Sequence, residues 1–270
     1  MTINELKRII EQNICSETAE FNKYIKGVIP IELHPVNFSL ESTSMWSFRD
    51  RGNWATNSGK YRGNWSPYIP RNLLLRYSKT DDWVLDQFSG SGTTLVEAKL
   101  LGRNGIGIDV NENSVLKCKD NLNFDCDVNS RVFVKCGDAR NLSCLKDESI
   151  DLICTHPPYA NIIQYSVDNI NDISLLDSDK FIVEMQKVAQ ESYRVLKKGK
   201  VCAIMMGDIR KNGNIIPLGF KTMECFLNAG FKSKEIIIKE QHNCKSSKYW
   251  TKKDYFFLLL AHEYIFVFEK

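Results

Sequence analysis

The segment Thr155–Tyr159 (Thr-His-Pro-Pro-Tyr) carries residue types that could act on a planar amino group. Its two prolines fix φ and remove two N–H donors, so the carbonyls of His156 and Pro157 are rigid and free to accept hydrogen bonds. Tyr159 adds a flat face for a planar base. The exocyclic nitrogen of adenine or cytosine is a poor nucleophile, because its lone pair is delocalised into the ring. Acceptors on its hydrogens would free that lone pair for attack on a methyl sulfonium, and in a duplex the base must first be flipped out.

A glycine-rich turn lies upstream of this segment, within Val84–Ala98. An apolar run ends at Asp86, the turn Phe88–Gly92 follows (Phe-Ser-Gly-Ser-Gly), and Thr93 can cap the helix that the next apolar positions predict. Glycines let the backbone come close to a ligand, and a helix N-terminus offers free N–H groups. The turn is therefore typical of a site for a carboxylate or a phosphate.

Asp109 follows near the end of the next apolar run, Gly105–Val110. It lies roughly 20 residues beyond the first glycine of the turn, the spacing at which a carboxylate meets ribose hydroxyls in a doubly wound fold. The pattern predicts a site for a molecule with an adenosine ribose, either a dinucleotide or S-adenosylmethionine. The Thr155–Tyr159 segment favours the second, since a Pro-Pro-Tyr loop has no role in hydride transfer.

These residues need a sheet that brings the ends of several strands together. Strand and helix patterns alternate as β-α-β-α-β-β up to residue 154. Helices are then predicted at 179–196 and 218–229, and strands at 201–206, 231–239, 255–260 and 263–268. The order predicts an α/β fold with a doubly wound, Rossmann-like sheet, mostly parallel with antiparallel C-terminal strands. Apolar residues at helical spacing near the start of the chain predict an N-terminal helical cap over residues 1–40.

The net charge of +3 is unevenly distributed along the 270 residues. Residues 48–80 contain seven basic side chains against one acid, residues 81–159 eight against thirteen, and residues 239–255 five lysines against two acids. Basic stretches interleaved with aromatic residues suit a phosphate backbone and unstacked bases. For residues 239–255 alone, a solvated lysine-rich surface is an equal alternative.

The composition predicts a cytoplasmic protein with reduced cysteines. The nine cysteines form no Cys-x-x-Cys pair and the four histidines show no metal-binding spacing, so neither a metal site nor a disulfide framework is expected. No apolar run is long enough to span a bilayer, and the N-terminus has no signal-peptide core.

On these motifs the chain resembles the S-adenosylmethionine-dependent amino-methyltransferases of DNA, which make N4-methylcytosine or N6-methyladenine. Phe88–Gly92 matches their Phe-x-Gly-x-Gly motif, and Pro157–Tyr159 matches the end of their catalytic tetrapeptide. The first residue of that tetrapeptide is usually Asp, Asn or Ser, and here it is His156. Ser66–Pro67 resembles the motif that closes over the methionine end of the cofactor, and residues 263–268 resemble the family's last strand motif. The motif order resembles one of the family's circular permutations.

The resemblance covers about residues 45–270 and implies a single methyltransferase catalytic domain over residues 41–270, with S-adenosylmethionine as cofactor. Asp86 or the backbone of Phe88–Gly92 would meet the methionine moiety, Asp109 the ribose hydroxyls and Asp138 the adenine amino group. The implied cofactor residues are Ser66, Asp86, Phe88, Ser89, Gly90, Gly92, Thr93, Asp109 and Asp138. The implied catalytic residues are His156, Pro157, Pro158 and Tyr159.

Little chain is left for a separate recognition domain, so DNA contact is expected from two loops, residues 207–217 and 239–255. Their candidate nucleic-acid-binding residues are Arg210, Lys211, Lys245, Lys248, Tyr249 and Trp250. The expected partner is double-stranded DNA, in a setting such as restriction–modification, with no membrane partner. A homodimer or a separate specificity subunit would supply the remaining contacts.

His156 bears on both the base and the activity. Ser at this place usually marks the family's cytosine enzymes, and the flank Tyr159–Asn161 with Tyr165 resembles that branch, which favours N4 of cytosine over N6 of adenine. Since a neutral imidazole accepts a hydrogen bond and an imidazolium does not, the rate is predicted to fall as His156 is protonated, near about 6.5 if its pKa is ordinary. Two alternatives stay open: an RNA base amino-methyltransferase, and a non-catalytic DNA-binding subunit with a decayed site.

Overall fold

A computed structural model of the chain describes residues 32–160, 169–242 and 258–270. An eight-stranded sheet and a two-stranded hairpin carry its strands. The strands are β1 Met45–Ser47, β2 Trp83–Asp86, β3 Asn104–Asp109, β4 Val132–Cys136, β5 Ile150–Thr155, β6 Leu196–Met206, β7 Ile209–Lys211, β8 Asn214–Ile216, β9 Lys232–Glu240 and β10 His262–Glu269. The α-helices are α1 Tyr68–Tyr77, α2 Thr93–Leu100, α3 Glu112–Leu122, α4 Ser178–Val195 and α5 Leu218–Asn228, and Ile173–Leu175 forms a 3₁₀ turn.

The order of strands across the sheet is β1-β9-β10-β6-β5-β2-β3-β4. The five strands from β4 to β6 run parallel, whereas β10 is antiparallel to both of its neighbours, β6 and β9. The predicted doubly wound, mostly parallel sheet with C-terminal antiparallel pairing is confirmed. β10 lies inside the sheet rather than at its edge. The chain winds one way from β2 to β3 and the other way from β5 to β6, so the order reverses at β2 and β5, where such sheets bind ligands.

Alternate residues of the central strands belong to two separate cores, as period-2 strands covered on both faces require. Leu85, Ile153 and Ile204 pack with α4 and α5 on one face. Val84 and Leu152 pack with α1 on the other. Polar caps start two of the helices: the Asn111 side chain accepts hydrogen bonds from the first amides of α3, and the Asp177 side chain accepts one at the start of α4. The predicted cap by Thr93 is wrong, because α2 follows Gly92 without a side-chain cap.

The tryptophan loop, residues 48–66, connects β1 to α1 and is fixed by a buried carboxylate. Glu97 of α2 accepts hydrogen bonds from Trp54 Nε1 at 2.7 Å and Asn57 Nδ2 at 2.9 Å. Arg71 of α1 donates to the second oxygen of Glu97 at 2.9 Å. Burial raises the pKa of Glu97 to about 7, against the lowering effect of Arg71 and the other donors. The predicted ordered loop is therefore tied to the two helices beside the glycine turn.

Some predictions fall outside the described residues. The N-terminal cap lies there except for residues 32–40, which form turns and extended chain without a helix. Most of the 239–255 loop also lies there; residues up to Glu240 belong to β9. The predicted 207–217 loop is largely a hairpin made by β7 and β8. No helix within the described ranges combines the length and apolar character needed to cross a membrane.

Candidate active site

The glycine turn between β2 and α2 depends on its glycines. Gly90 and Gly92 have φ angles of 49° and 88°, in the left-handed region that disfavours side chains. A Cβ on Gly92 would lie 2.4 Å from Sγ of Cys118 on α3, so no side chain fits there. The amide of Gly90 donates to Asp109 Oδ2 at 2.8 Å, which ties the turn to the end of β3. The turn and Asp109 thus form one rigid floor.

Asp86, at the end of β2, links three elements beneath this floor. Its carboxylate accepts from the hydroxyls of Thr94 at 2.5 Å and Thr155 at 2.7 Å, and from the amide of Phe88 at 3.1 Å. Burial raises the pKa of Asp86 to about 6 despite these hydrogen bonds. Both oxygens are thus engaged within the fold, and the bond to Thr155 fixes where the Pro-Pro-Tyr loop begins. Contact of Asp86 with a methionine moiety stays a prediction.

Two further predicted acids, Asp109 and Asp138, line the cleft beside the glycine turn and accept hydrogen bonds from different kinds of donor. Asp109 accepts from the amides of Gly90 at 2.8 Å and Asn111 at 2.9 Å, and burial raises its pKa. Asp138 instead accepts from Arg140 Nε at 2.9 Å and Nη2 at 2.6 Å. Arg140 also donates to Glu184 at 2.6 Å. An amino group that meets Asp138 would therefore have to share its oxygens with a guanidinium.

Tyr61 of the tryptophan loop covers the glycine turn. Its hydroxyl lies 2.7 Å from Ser114 Oγ on α3, and its ring passes so close to Gly90 that an added Cβ would be 3.2 Å away. Burial raises the pKa of the Tyr61 phenol. Sequence reasoning marked this loop as ordered but missed Tyr61, because its contact with Ser114 joins residues 53 positions apart.

His156 lies between the tryptophan loop and the rest of the Pro-Pro-Tyr loop. Its ring stacks on Trp65 with centroids 5.5 Å apart and meets the Tyr159 ring edge-on at 5.7 Å. The imidazole also forms a hydrogen bond with the backbone of Gly63. One side of the ring is open to the cleft, but the surrounding protein lowers the pKa of His156 to about 4, although the charge of Glu263 opposes the shift. The ring is therefore neutral at pH 7, and the transition expected near 6.5 moves to about 4.

Tyr159 is held at both its hydroxyl and its ring. The hydroxyl donates to Glu263 Oε1 of β10 at 2.6 Å and lies 3.4 Å from His156 Nε2. Glu263 Oε2 accepts from Lys239 Nζ of β9 at 2.9 Å. The ring lies against the backbone of Gly207, where a Cβ would be 3.1 Å from a ring carbon. Sequence reasoning missed both Glu263 and Lys239 as members of the site.

The floor, the tryptophan loop and the Pro-Pro-Tyr loop line one cleft. The predicted site residues that line it are Asp86, Phe88, Ser89, Gly90, Thr93, Asp109, Asp138, His156 and Pro158. The lining residues that sequence reasoning missed include Tyr61, Asn64, Trp65, Asn111, Arg140 and Asp172. Four predicted residues are not among those that line it: Ser66, Gly92, Pro157 and Tyr159. Of these, Ser66 donates to the carbonyl of Arg51 at 2.6 Å and so fixes the tryptophan loop. Tyr159 is half-buried, and stacking of a base on its ring stays a prediction.

The structure describes only two of the six predicted nucleic-acid-binding residues, Arg210 and Lys211. Arg210 donates to the carbonyls of Gly213 at 2.7 Å and Leu258 at 2.9 Å, so it joins the β7–β8 hairpin to the segment before β10. Lys211 is exposed on that hairpin. The other candidates, Lys245, Lys248, Tyr249 and Trp250, lie outside the described residues.

Two solved structures share the fold over most of this chain. A SAM-dependent methyltransferase from Methanosarcina mazei is 15% identical, with a TM-score of 0.53 over 73% of this chain and 96% of its own. TrmN from Thermus thermophilus is 17% identical, with a TM-score of 0.51 over 77% of this chain and 50% of its own. At these identities the likeness supports the fold.

Curated relatives match shorter segments. The Type II methyltransferase M2.LlaDCHI of Lactococcus lactis subsp. cremoris is 43% identical over 70 residues, 26% of this chain and 25% of its own length. The tRNA (guanine(10)-N2)-dimethyltransferase of Methanothermobacter thermautotrophicus is 36% identical over 101 residues, 37% of this chain and 29% of its own. The matches thus span under a third of either relative.

A family profile covers far more of the chain. The profile described as DNA methylase matches residues 10–119 and 150–270, which include the glycine turn, the Pro-Pro-Tyr loop and β10. A second profile, the RMKL-like methyltransferase domain, matches residues 72–196. The first match spans well over half of the sequence, and on that ground the chain belongs to the DNA methylase family.

Proposed function

We propose that this protein transfers a methyl group from S-adenosylmethionine to the exocyclic amino group of a base in DNA. The observation that carries the proposal is the shared cleft. His156 and Pro158 of the Pro-Pro-Tyr loop line it together with Asp109 and the glycine turn. A methyl donor on that floor and an amino group at that loop would therefore be neighbours.

The lining fits S-adenosylmethionine chemically. Ser89 and Gly90 of the glycine turn line the cleft beside Asp109. Asp109 offers a carboxylate for vicinal hydroxyls, and Gly90 a backbone with little bulk. When bound, S-adenosylmethionine supplies an electrophilic methyl group.

The Pro-Pro-Tyr loop would prepare the nucleophile. The carbonyls of His156 and Pro157 would accept the two amino hydrogens, and the neutral imidazole can accept as well. Tyr159 would stack on the flipped base. The amino nitrogen would form the new N–C bond as the S–CH3 bond of the sulfonium breaks, with S-adenosylhomocysteine as the leaving group, and would release one proton to solvent. The flanking sequence leads us to favour N4 of cytosine over N6 of adenine.

The names of the relatives support a nucleic-acid substrate. The Lactococcus protein and one from Moraxella bovis, 34% identical over 74 residues, are Type II methyltransferases. A second candidate function, methylation of an RNA base, is favoured by the tRNA dimethyltransferase, which aligns over 101 residues against 70 for the Lactococcus enzyme. Because the matched segments cover so little of these relatives, any second copy or specificity subunit is part of the proposal.

The experiment that tests the function uses tritiated S-adenosylmethionine with unmodified genomic DNA and, separately, total RNA, followed by nucleoside mass spectrometry. We expect label in DNA as N4-methylcytosine. N6-methyladenine would correct the base, and label in RNA alone would replace DNA by the second candidate. The Asp109→Asn variant should bind the cofactor more weakly, whereas Glu269→Gln, which alters an exposed ion pair on β10, should behave as wild type.

A further inference from the structure

We propose that Glu263 and Lys239 are positioning residues that fix Tyr159 as the platform for the target base. The inference rests on the proposed function. It concerns two charged side chains of the sheet. In the part of the chain that the structure describes, neither of them lines the cleft. Their effect on the reaction would pass through Tyr159.

The geometry forms a continuous chain from the sheet to the loop. Glu263 and Lys239 are direct partners in the antiparallel register of β10 and β9. One oxygen of Glu263 accepts from Lys239 Nζ at 2.9 Å and the other from the Tyr159 hydroxyl at 2.6 Å. The carboxylate thus holds a residue 104 positions away in sequence.

Burial of these charges calls for a reason. The side chains of Lys239 and Glu263 are only 15% and 10% exposed, and a buried ion pair is weak evidence of stabilisation because desolvation offsets its attraction. The same two strands also carry Lys234 and Glu269, a pair about 40% exposed at 2.6 Å that touches no part of the cleft. Opposite charges on β9 and β10 can therefore pair at the surface, where the loss of hydration is smaller. What distinguishes the buried pair is its contact with Tyr159.

Gly207 completes the seat of the ring. A Cβ there would lie 3.1 Å from a ring carbon of Tyr159, 3.3 Å from its hydroxyl oxygen and 3.4 Å from Cγ of Glu263. The ring is thus held at its hydroxyl by Glu263 and along one edge by the backbone at the end of β6. A platform held in this way loses little freedom when a base stacks on it.

The carboxylate also bears on the chemistry. A phenol that donates to a carboxylate is richer in ring electrons, and an electron-rich ring attracts a positive charge more strongly. The target base gains positive charge as its nitrogen is methylated. The attraction therefore grows between ground state and transition state, and interactions of that kind raise kcat rather than lower KM.

The test combines Glu263→Gln, Tyr159→Phe and the double variant, with Glu269→Gln as the matched control. Single-turnover methyl transfer is measured with saturating tritiated S-adenosylmethionine and unmodified genomic DNA. We expect each single variant to slow transfer by about tenfold to a hundredfold, the range for a hydrogen bond to a charged group. The double variant should be no slower than the slower single variant, and cofactor affinity should be unchanged. Wild-type rates for Glu263→Gln, or effects that multiply in the double variant, would overturn the proposal.

A second readout needs no activity. In protein labelled with 3-fluorotyrosine, the Tyr159 resonance is assigned by its loss in Tyr159→Phe. It should shift in Glu263→Gln and in Lys239→Met but not in Glu269→Gln. An unmoved resonance would overturn the inference by itself. A moved resonance in a protein that methylates no DNA would support the anchor and count against the proposed function alone.

Discussion

Two buried carboxylates, Glu97 and Glu263, anchor two different walls of the cleft in similar ways. Each accepts a hydrogen bond from an aromatic side chain, Trp54 at 2.7 Å or Tyr159 at 2.6 Å, and each has a cationic partner 2.9 Å away. Their pKa values nevertheless move in opposite directions. Burial raises the pKa of Glu97 to about 7. Burial also pushes the pKa of Glu263 upward, but its charged and hydrogen-bonded neighbours outweigh that effect and lower it.

The difference shows that the same local arrangement can serve two purposes. Glu97 lies fully inside the core, 0% exposed, where it gains or loses a proton near neutral pH while it holds the tryptophan loop. Glu263 has Lys239 on the neighbouring strand and stays ionised across the same range. The stability of the wall that Glu97 anchors therefore depends on pH. The wall that Glu263 anchors keeps a fixed negative charge beside Tyr159.

Replacement of Arg71 is expected to have the largest effect on stability. Arg71→Met leaves Glu97 buried without a cation, and we expect the free energy of unfolding at pH 8 to fall by about 3–5 kcal/mol in urea titrations. The control is Lys234→Met, which disrupts an exposed pair and should change the free energy of unfolding by about 0–1 kcal/mol. Equal losses for the two variants would contradict the assignment of Glu97 as a buried anchor.

The pH dependence of stability gives the next largest effect. Because the folded-state pKa of Glu97 is raised from 4.5 to about 7, its contribution is fully present below pH 4.5 and is lost as pH rises to about 7. The difference in free energy of unfolding between wild type and Glu97→Gln should change by about 3 kcal/mol across that window. Glu263 has the opposite sign: its contribution is present above its unfolded value and is lost as pH falls. If the effects of Glu97→Gln and Glu263→Gln on the free energy of unfolding changed in the same direction with pH, the two carboxylates would not differ as described.

Overpacking at Gly207 should disturb only the Tyr159 wall. In Gly207→Ala the new Cβ would lie 3.1 Å from the ring, so the ring must shift. We expect a loss of about 1–3 kcal/mol in the free energy of unfolding and slower methyl transfer with unchanged cofactor affinity. Gly59→Ala is the matched control, since its Cβ would meet only the flexible side chain of Arg51 at 3.5 Å. Weaker cofactor binding in Gly207→Ala would show that the two walls are not separate.

The smallest expected effect is at His156. Its pKa is lowered to about 4, mainly by burial, so the ring should stay neutral from pH 5.5 to 8 and lose its acceptor only as pH falls towards 4. NMR titration of the His156 ring should show no protonation across that range, and His156 should contribute no slope to the transfer rate there. A protonation step between pH 6 and 7 would refute the burial argument.

The parts of the site that local sequence determines were predictable. Glycines at 90 and 92, an acid at the end of β3 and a Pro-Pro-Tyr loop after β5 follow from turn chemistry and strand periodicity. Contacts between distant segments were not, because nothing in a local pattern names the partner. Glu97 with Trp54, Tyr61 with Ser114 and Glu263 with Tyr159 join residues 43, 53 and 104 positions apart.

For Asp86 and for β10, the local structure was predictable from sequence but the long-range partners were not. Asp86 was correctly placed at a strand end. Its neighbours, the hydroxyls of Thr94 and Thr155, could not be inferred from sequence, and they turn the carboxylate inward. β10 was correctly predicted as a strand with antiparallel pairing. Its interior place depends on cross-strand pairing with both β6 and β9, which single-strand periodicity does not encode.

That interior place of β10 has a consequence for biosynthesis. β10 is translated after every other strand of the described sheet, yet β9 and β1 reach the sheet only through it. A nascent chain that has not yet released residues 262–269 exposes unpaired edges on β6 and β9, and such edges favour association with other chains. The anchor of Tyr159 is assembled in the same late event, because Glu263 arrives with β10. The carboxylate that holds Tyr159 therefore joins the fold only with the last strand of the described sheet.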